Sequence, residues 1–181
     1  MELKKKQLLY KIVILGGSVV GKSNFISRYV DNTFNPGVLR TIGVNFQIKN
    51  VTLNDGKIAK IQIWDSNSFT GGGENMNKTY FKGANGFIII YNITDIDTFE
   101  KATFWLEQVR NYLDNNNIAF VGNYLDKVDI SCYDNMRKIS TEEGKKFAEE
   151  NDLLFFETSN ITGFNVNECF NTLIFYLLKN V

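Results

Sequence analysis

The segment GGSVVGKS, residues 16–23, decides the fold. It directly follows the apolar run LLYKIVIL (8–15) and opens a stretch with helical character. A GxxxxGK[ST] turn between a strand and a helix is typical of a phosphate-binding loop, because its backbone N–H groups and the helix N-terminus cradle an anion. In this pattern the lysine reaches the phosphates and the following hydroxyl ligates Mg²⁺. The predicted phosphate-binding residues are Ser18, Val19, Val20, Gly21, Lys22 and Ser23.

Further apolar runs predict the rest of a sheet. They cover residues 44–53, 57–64, 86–93, 118–123 and 153–158. The first two alternate polar with apolar residues, and the Asn54-Asp55-Gly56 segment between them is a hairpin signal. The other runs are continuous, which favours strands that are covered on both faces.

Helical patterns lie between these runs. Apolar residues recur at helical spacing from Phe99 to Leu113 and again over residues 165–179, and Ser140 to Glu143 matches a capping box. The chain is therefore predicted to be a single α/β domain over residues 1–181, with a mostly parallel six-stranded sheet, one antiparallel strand and helices on both faces. Ligands of such sheets bind beyond the carboxyl ends of the strands.

Composition excludes several classes of function. The 20 basic and 20 acidic residues cancel, which argues against a surface for nucleic acid or anionic membrane. The chain has no histidine, so imidazole catalysis and histidine-ligated metals are excluded. Cys132 and Cys169 lack metal-site or CxxC spacing, which favours a reduced cytosolic protein.

Two polar segments after strands suggest which base is bound. Asn123 and Asp126 follow one predicted strand, and a carboxylate there can accept hydrogen bonds from the guanine N1–H and exocyclic amine, donors that adenine lacks at those positions. Residues 157–160 follow the last strand, where a backbone N–H can meet the guanine O6. Each segment alone is a common polar turn, but together they favour guanine over adenine.

These motifs resemble the small Ras-like GTPases, and specifically their Rab branch, over nearly the whole chain. The other stretches that carry the resemblance are RTIGVNF (40–46), IQIWD (61–65), YFKGA (80–84) and YNITD (91–95). The resemblance implies a P-loop G-domain that binds GTP or GDP together with Mg²⁺.

The resemblance also implies roles for individual residues. Mg²⁺ would be held by Ser23, by Thr41 in the GTP state only, and by Asp65 through a water molecule. The implied base-binding residues are Asn24, Phe34, Asn123, Tyr124, Asp126, Ser159 and Asn160. The implied effector surface is formed by Ile42, Phe46, Trp64 and Phe81. Phe46, Trp64 and an aromatic at 80 or 81 would form a cluster beneath the two segments that change conformation with the nucleotide in this family.

The segment after Asp65 departs from the family pattern Asp-x-x-Gly-Gln. Ser68 stands at the glycine position and Phe69 at the position of the glutamine that orients the attacking water. Phenylalanine cannot hydrogen-bond a water, so no residue is identified as catalytic, and intrinsic GTP hydrolysis is expected to be very low. Tyr124, Val19 and Asn160 also depart from the family, which has lysine, glycine and alanine there. The tyrosine ring could stack on the base, and the change at 160 need not matter if only its backbone is used.

The sequence therefore predicts a GTP/GDP switch in membrane traffic, with effectors, an exchange factor and a GTPase-activating protein as partners. The alternative is a pseudo-GTPase, a nucleotide-stabilised interaction module that does not cycle. A P-loop kinase that uses ATP is a third idea, against which Asn123 and Asp126 argue. The expected location is the cytoplasm or the cytosolic face of an intracellular membrane. Because the cysteine-containing tail of the family is missing after Val181, attachment would need a tail or partner outside this sequence.

Overall fold

The computed structural model of the protein describes residues 8–37, 45–53, 55–66, 80–112, 117–124 and 136–179, and of Asn45 only the backbone. The strands are β1 (Leu8–Gly16), β2 (Asn45–Thr52), β3 (Ile58–Asp65), β4 (Gly86–Asn92), β5 (Ile118–Asn123) and β6 (Leu154–Thr158). The helices within these ranges are α1 (Lys22–Asp31), α2 (Ile96–Arg110), α3 (Thr141–Glu150) and α4 (Val166–Lys179). The six predicted strands and the predicted helical segments are confirmed.

The strands form one sheet in the order β2-β3-β1-β4-β5-β6. β2 pairs antiparallel with β3, and the other four pairings are parallel. Five strands therefore point the same way, and their carboxyl ends meet at one edge of the sheet. The predicted α/β class, with its single antiparallel strand, is confirmed.

The alternation of side chains along β1 divides the core into two layers. Ile12 and Ile14 pack on one face of the sheet with residues of α1 and α4. Val13 and Leu15 pack on the other face with residues of α2 and α3. Since successive side chains of a strand point to opposite faces, the apolar run 12–15 of β1 is what a strand covered by helices on both sides requires.

Local sequence signals set several element ends. Ser140 accepts a hydrogen bond from the backbone N–H of Glu143, whose side chain in turn accepts one from the backbone N–H of Ser140, so the predicted capping box is present at the start of α3. Gly56 has a φ of 76°, as the tight turn between β2 and β3 demands. Among the described residues, no helix combines the length and apolar character that crossing a bilayer requires.

Candidate functional site

Polar residues gather at the edge of the sheet where the parallel strands end. The loop after β1 leads into α1 there, β3 ends in Asp65, and β5 ends in Asn123. Asp65 and Asn123 are almost fully buried, at 2% and 0% exposure. Buried polar groups at the carboxyl ends of parallel strands mark the place where ligands bind in this class of fold.

Two glycines let the loop after β1 pass close to its neighbours. A Cβ on Gly16 would collide with the carbonyl oxygen of Ile90 on β4. A Cβ on Gly21, which has a φ of 88°, would lie 2.6 Å from Nδ2 of Asn160 and 2.7 Å from Nδ2 of Asn123. Glycine is thus required at position 21 both by the backbone conformation and by the space.

The N-terminus of α1 differs from those of α2 and α3. Gly21 precedes α1, no side chain caps its first turn, and that turn contains no acidic residue. By contrast, Asp95 caps α2 and Ser140 caps α3, and both helices carry acidic residues in the first turn. No side chain or acidic residue competes with an anion for the first turn of α1, and the helix dipole favours an anion at this end.

Lys22 is buried, at 4% exposure, and its ammonium group lies over the loop. Its Nζ donates to the carbonyl oxygens of Gly17, at 2.6 Å, and Gly16, at 3.1 Å. Burial lowers the pKa of Lys22 to about 8, an effect that the nearby Asp65 carboxylate partly offsets. The side chain still carries its charge at pH 7, so a buried cation faces the loop that would hold phosphates.

Ser23 and Asp65 offer hard oxygen ligands beside this cation. The Ser23 hydroxyl donates to Oδ2 of Asp65 at 2.8 Å. A cavity of about 30 Å³, lined in part by Ser23, Ser27, Gln47 and Asp65, adjoins them. This volume suits one ion or water. Mg²⁺ prefers few protein oxygens and keeps its waters and phosphate ligands, so the donor set fits Mg²⁺.

The described residues contain no group of three or more carboxylates or thiols that could hold a metal. A metal at Ser23 and Asp65 would thus have to be completed by a nucleotide, by waters and by residues outside the described ranges. That requirement matches the preference of Mg²⁺ and does not match that of a structural Zn²⁺ site.

Asn123 is fixed at the end of β5 by two buried hydrogen bonds. Its Nδ2 donates to the carbonyl oxygen of Val20 at 2.8 Å, and its Oδ1 accepts from the Thr158 hydroxyl at 3.2 Å. Thr158 was not singled out from the sequence. Ser159 is 2% exposed, and its hydroxyl accepts from the Thr162 N–H at 3.1 Å, which shapes the turn after β6.

Tyr124 and Asn160 lie on the same side of the loop as Asn123. The Tyr124 hydroxyl donates to the carbonyl oxygen of Val19 at 2.9 Å, and Nδ2 of Asn160 donates to that of Gly21 at 2.9 Å. The structure therefore brings the predicted base-side residues Asn123, Tyr124 and Asn160 into direct contact with the phosphate loop.

The structure gives the side chain of Asn24 a different role from the predicted contact with a base. Its Oδ1 accepts from the backbone N–H of Asn35, and its Nδ2 donates to the carbonyl oxygen of the same residue, both at 3.0 Å. These two bonds hold the segment after α1, which carries the half-buried Phe34, against the first turn of that helix.

Arg28 on α1 was not identified from the sequence. Its Nε donates to the carbonyl oxygen of Asn160 at 2.9 Å, and one terminal nitrogen donates to that of Ile161 at 2.7 Å. These partners lie 132 and 133 positions away along the chain, so no local pattern could have indicated them. Arg28 ties the helix that follows the phosphate loop to the loop that follows β6.

An aromatic cluster of Phe46, Trp64 and Tyr80 lies along β2 and β3. The ring centroids of Phe46 and Trp64 are 5.6 Å apart in a stacked arrangement, and those of Trp64 and Tyr80 are 5.5 Å apart edge to face. Phe46 is 49% exposed. Nζ of Lys11 lies 4.2 Å from the Trp64 ring centroid and donates to the carbonyl oxygen of Tyr80.

The prediction that Phe81 belongs to an exposed surface is wrong. Phe81 is 3% exposed and packs edge to face on Phe87 and Tyr112 in the core. Tyr80, the other position considered for the third aromatic, makes the contact with Trp64. Two adjacent aromatic residues must point in different directions, and the sequence does not tell which one faces the cluster.

Several predicted residues lie outside the described ranges. They are Thr41, Ile42, Ser68, Phe69 and Asp126. Their predicted roles in metal binding, partner binding, hydrolysis and base recognition stay predictions.

Comparison with known proteins places this geometry in a family. The family model described as the Ras family matches residues 11–179. The chain is 44% identical over 180 residues to the Ras-related protein Rab-11B of Dictyostelium discoideum, an alignment that covers 95% of this chain and 77% of the relative. It is 39% identical over 180 residues to the Ras-related protein RABA5c of Arabidopsis thaliana, covering 97% and 79% of the two chains. It is 40% identical over 177 residues to the GTP-binding protein ypt3 of Schizosaccharomyces pombe, covering 96% and 78%. With a phosphate loop, a buried lysine and an asparagine-bearing strand end at one edge of the sheet, the chain belongs to the Ras family of small GTPases, in its Rab branch.

Proposed function

We propose that the protein is a guanine-nucleotide switch of membrane traffic that binds GTP and GDP tightly and hydrolyses GTP very slowly. The observation that carries the proposal is the meeting of the phosphate loop, the buried Lys22, the Ser23–Asp65 pair and Asn123 at one edge of the sheet. A loop of backbone N–H groups, a cation and two hard oxygen ligands suit a nucleoside diphosphate or triphosphate with Mg²⁺.

Each part of the site has a distinct task in this proposal. Lys22 neutralises charge on the phosphate oxygens, and the uncapped first turn of α1 adds its N–H groups. Ser23, Thr41 and, through a water molecule, Asp65 would hold Mg²⁺, which would supply neutralisation of phosphate charge and orientation of the terminal phosphoryl group. Asn123 and Asp126 recognise the base, while Phe34 packs against it.

Slow hydrolysis follows from the residues after β3. The family's glutamine position is occupied by Phe69, which has no group to orient the attacking water. Even family members that retain the glutamine turn over at only about 10⁻⁴ s⁻¹ without a partner. Removing a positioned polar group lowers such a rate by about 10-fold or more. Turnover would then depend on a partner that supplies an arginine and a water-orienting group.

The Phe46–Trp64 pair is the proposed contact surface for partners. Phe46 is half exposed although it is large and apolar, and it stacks directly on Trp64. Exposed aromatics with little conformational freedom are the usual anchors of protein interfaces. The site of action would be the cytosolic face of an intracellular membrane, reached through a lipid-bearing tail or a partner.

Nucleotide selectivity tests the binding part of the proposal. Fluorescent GDP bound to the purified protein is displaced with GTP, GDP or ATP in the presence of Mg²⁺. Both GTP and GDP should displace it, and ATP should compete about 10⁴-fold less well, because the site's base-recognising groups would be left unpaired. Competition by ATP as strong as that by GTP contradicts the proposal.

The switch part requires that the two nucleotides stabilise different states. The chain has two tryptophans, Trp64 in the aromatic cluster and Trp105 on α2. In a Trp105→Phe variant, the emission of Trp64 should differ between the complexes with GDP and with a non-hydrolysable GTP analogue. Identical spectra, together with equal affinities for the two nucleotides, contradict a switch and favour a static nucleotide-stabilised module.

A further inference from the structure

Three consecutive carbonyl groups of the phosphate loop are each bonded by a different side chain from the base side. The carbonyl oxygen of Val19 accepts from Tyr124, that of Val20 from Asn123, and that of Gly21 from Asn160, at 2.9, 2.8 and 2.9 Å. We call this set of three hydrogen bonds the carbonyl clamp. Asn123 is the last residue of β5, Tyr124 directly follows it, and Asn160 lies just after β6.

Because peptide groups are planar, the clamp also sets the direction in which the N–H groups of the loop point. A trans peptide is planar, so the carbonyl of one residue and the N–H of the next point in opposite directions. None of the described peptide bonds is cis. Fixing the carbonyls of residues 19–21 therefore directs the N–H groups of Val20, Gly21 and Lys22 away from the clamp. These N–H groups belong to the loop that would hold the phosphates.

The backbone at the clamp is strained, which indicates that the arrangement is imposed by its surroundings. Val19 has a φ of 55° and Tyr124 a φ of 77°, values that side-chain-bearing residues rarely adopt. Such conformations persist where neighbouring contacts enforce them, and they cluster at functional sites. Here the two strained residues are joined by the hydrogen bond from the Tyr124 hydroxyl to the Val19 carbonyl.

We propose that Tyr124 and Asn160 are positioning residues for phosphate binding. Together with Asn123 they preorganise three N–H groups of the loop, so that contacts made on the base side strengthen phosphate binding. Neither residue needs to touch a phosphate to do so. Both positions differ from the lysine and alanine that the family resemblance leads one to expect, so this is a property of the present chain. The inference rests on the proposed binding of guanine nucleotides.

The test separates phosphate binding from base binding by comparing GDP with GMP. Displacement of fluorescent GDP by each nucleotide is measured for the unaltered protein, for Tyr124→Phe and for Asn160→Ala. Tyr124→Phe keeps the ring and any stacking on the base, and removes the hydroxyl that donates in the clamp. The matched control is Tyr176→Phe, an exposed tyrosine on α4.

We expect Tyr124→Phe and Asn160→Ala each to weaken GDP binding by about 3- to 10-fold, the range for loss of one hydrogen bond. Binding of GMP, which lacks the second phosphate, should weaken less than 2-fold, and the control should bind both nucleotides normally. Equal losses for GDP and GMP would overturn the inference, since they would place the effect on the base or on general stability. Normal GDP binding by both clamp variants would also overturn it.

The two variants keep the test valid if one of them folds poorly, because either alone tests the inference. Failure of the unaltered protein to bind GDP would instead refute the proposed function, and the inference with it. A protein that binds GDP while both clamp variants show unchanged GDP-to-GMP ratios refutes the inference alone.

Discussion

Replacing Gly21 by alanine is expected to loosen the site at its tightest point. The added Cβ would lie 2.6 Å from Nδ2 of Asn160 and 2.7 Å from Nδ2 of Asn123, so both amides must rotate away. Their hydrogen bonds to the carbonyls of Gly21 and Val20 would be lost. Alanine must also adopt a φ of 88°, which costs about 1–2 kcal/mol of folding free energy.

The two costs appear in different measurements. The conformational cost is present with or without nucleotide, so it lowers the free energy of unfolding. Losing two hydrogen bonds, at about 0.5–1.5 kcal/mol each, weakens the preorganised loop by about 1–3 kcal/mol. Expressed as GDP affinity, that is a loss of about 5- to 150-fold.

Gly56→Ala is the matched control because Gly56 has a φ of 76° and no atom within 4 Å of an added Cβ. It should lose a similar 1–2 kcal/mol in urea denaturation and bind GDP normally. Dissociation of fluorescent GDP is measured for both variants. If Gly21→Ala releases GDP no faster than Gly56→Ala does, the reasoning about the clamp and the close approach at Gly21 is refuted.

Three further outcomes are expected. Val19→Gly should raise the free energy of unfolding in urea by up to about 1.5 kcal/mol, since it relieves about 1–2 kcal/mol of strain at φ 55° and costs about 0.5–1 kcal/mol in chain entropy. A less stable variant would count against strain at this position. Arg137→Met should destabilise the protein by up to about 3 kcal/mol in the same assay, because the Glu157 carboxylate, which is 11% exposed, loses a bidentate partner at 2.7 and 3.2 Å. An unchanged denaturation midpoint would show that this ion pair is dispensable. In a Cys132→Ser background, Cys169 should react with a thiol reagent only on unfolding, because it is fully buried and burial raises the pKa of its thiol. Stoichiometric labelling of the folded protein within minutes would contradict this burial.

Most of the fold was predictable because its signals are local. The runs that became β1, β4 and β5 are predominantly apolar, as strands covered on both faces must be. The alternation along β2 and β3 and the glycine turn between them specified a hairpin, and Ser140 with Glu143 specified the start of α3. These signals depend on neighbours within a few residues, so the sequence displays them directly.

The connections within the site were not predictable, because they join distant parts of the chain. The Tyr124–Val19 bond spans 105 positions and the Asn160–Gly21 bond spans 139. The sequence suggested that Tyr124 would stack on a base, whereas in the structure its hydroxyl is bonded to the phosphate loop. Which of two adjacent aromatics, Tyr80 or Phe81, faces Trp64 depends on packing against Phe87 and Tyr112, which no local pattern encodes.

The most direct test of the proposed slow switch is the fate of bound GTP. The purified protein is loaded with GTP and Mg²⁺, freed of unbound nucleotide, and sampled over a day for bound GTP and GDP. Lys22→Ala and Ser23→Ala serve as controls for binding at the phosphate loop. GTP is expected to stay bound and largely unhydrolysed, with a hydrolysis rate about 10-fold or more below the roughly 10⁻⁴ s⁻¹ of ordinary family members. Conversion to GDP at or above that ordinary rate, abolished in both controls, would show that another group orients the water and would contradict slow hydrolysis caused by Phe69.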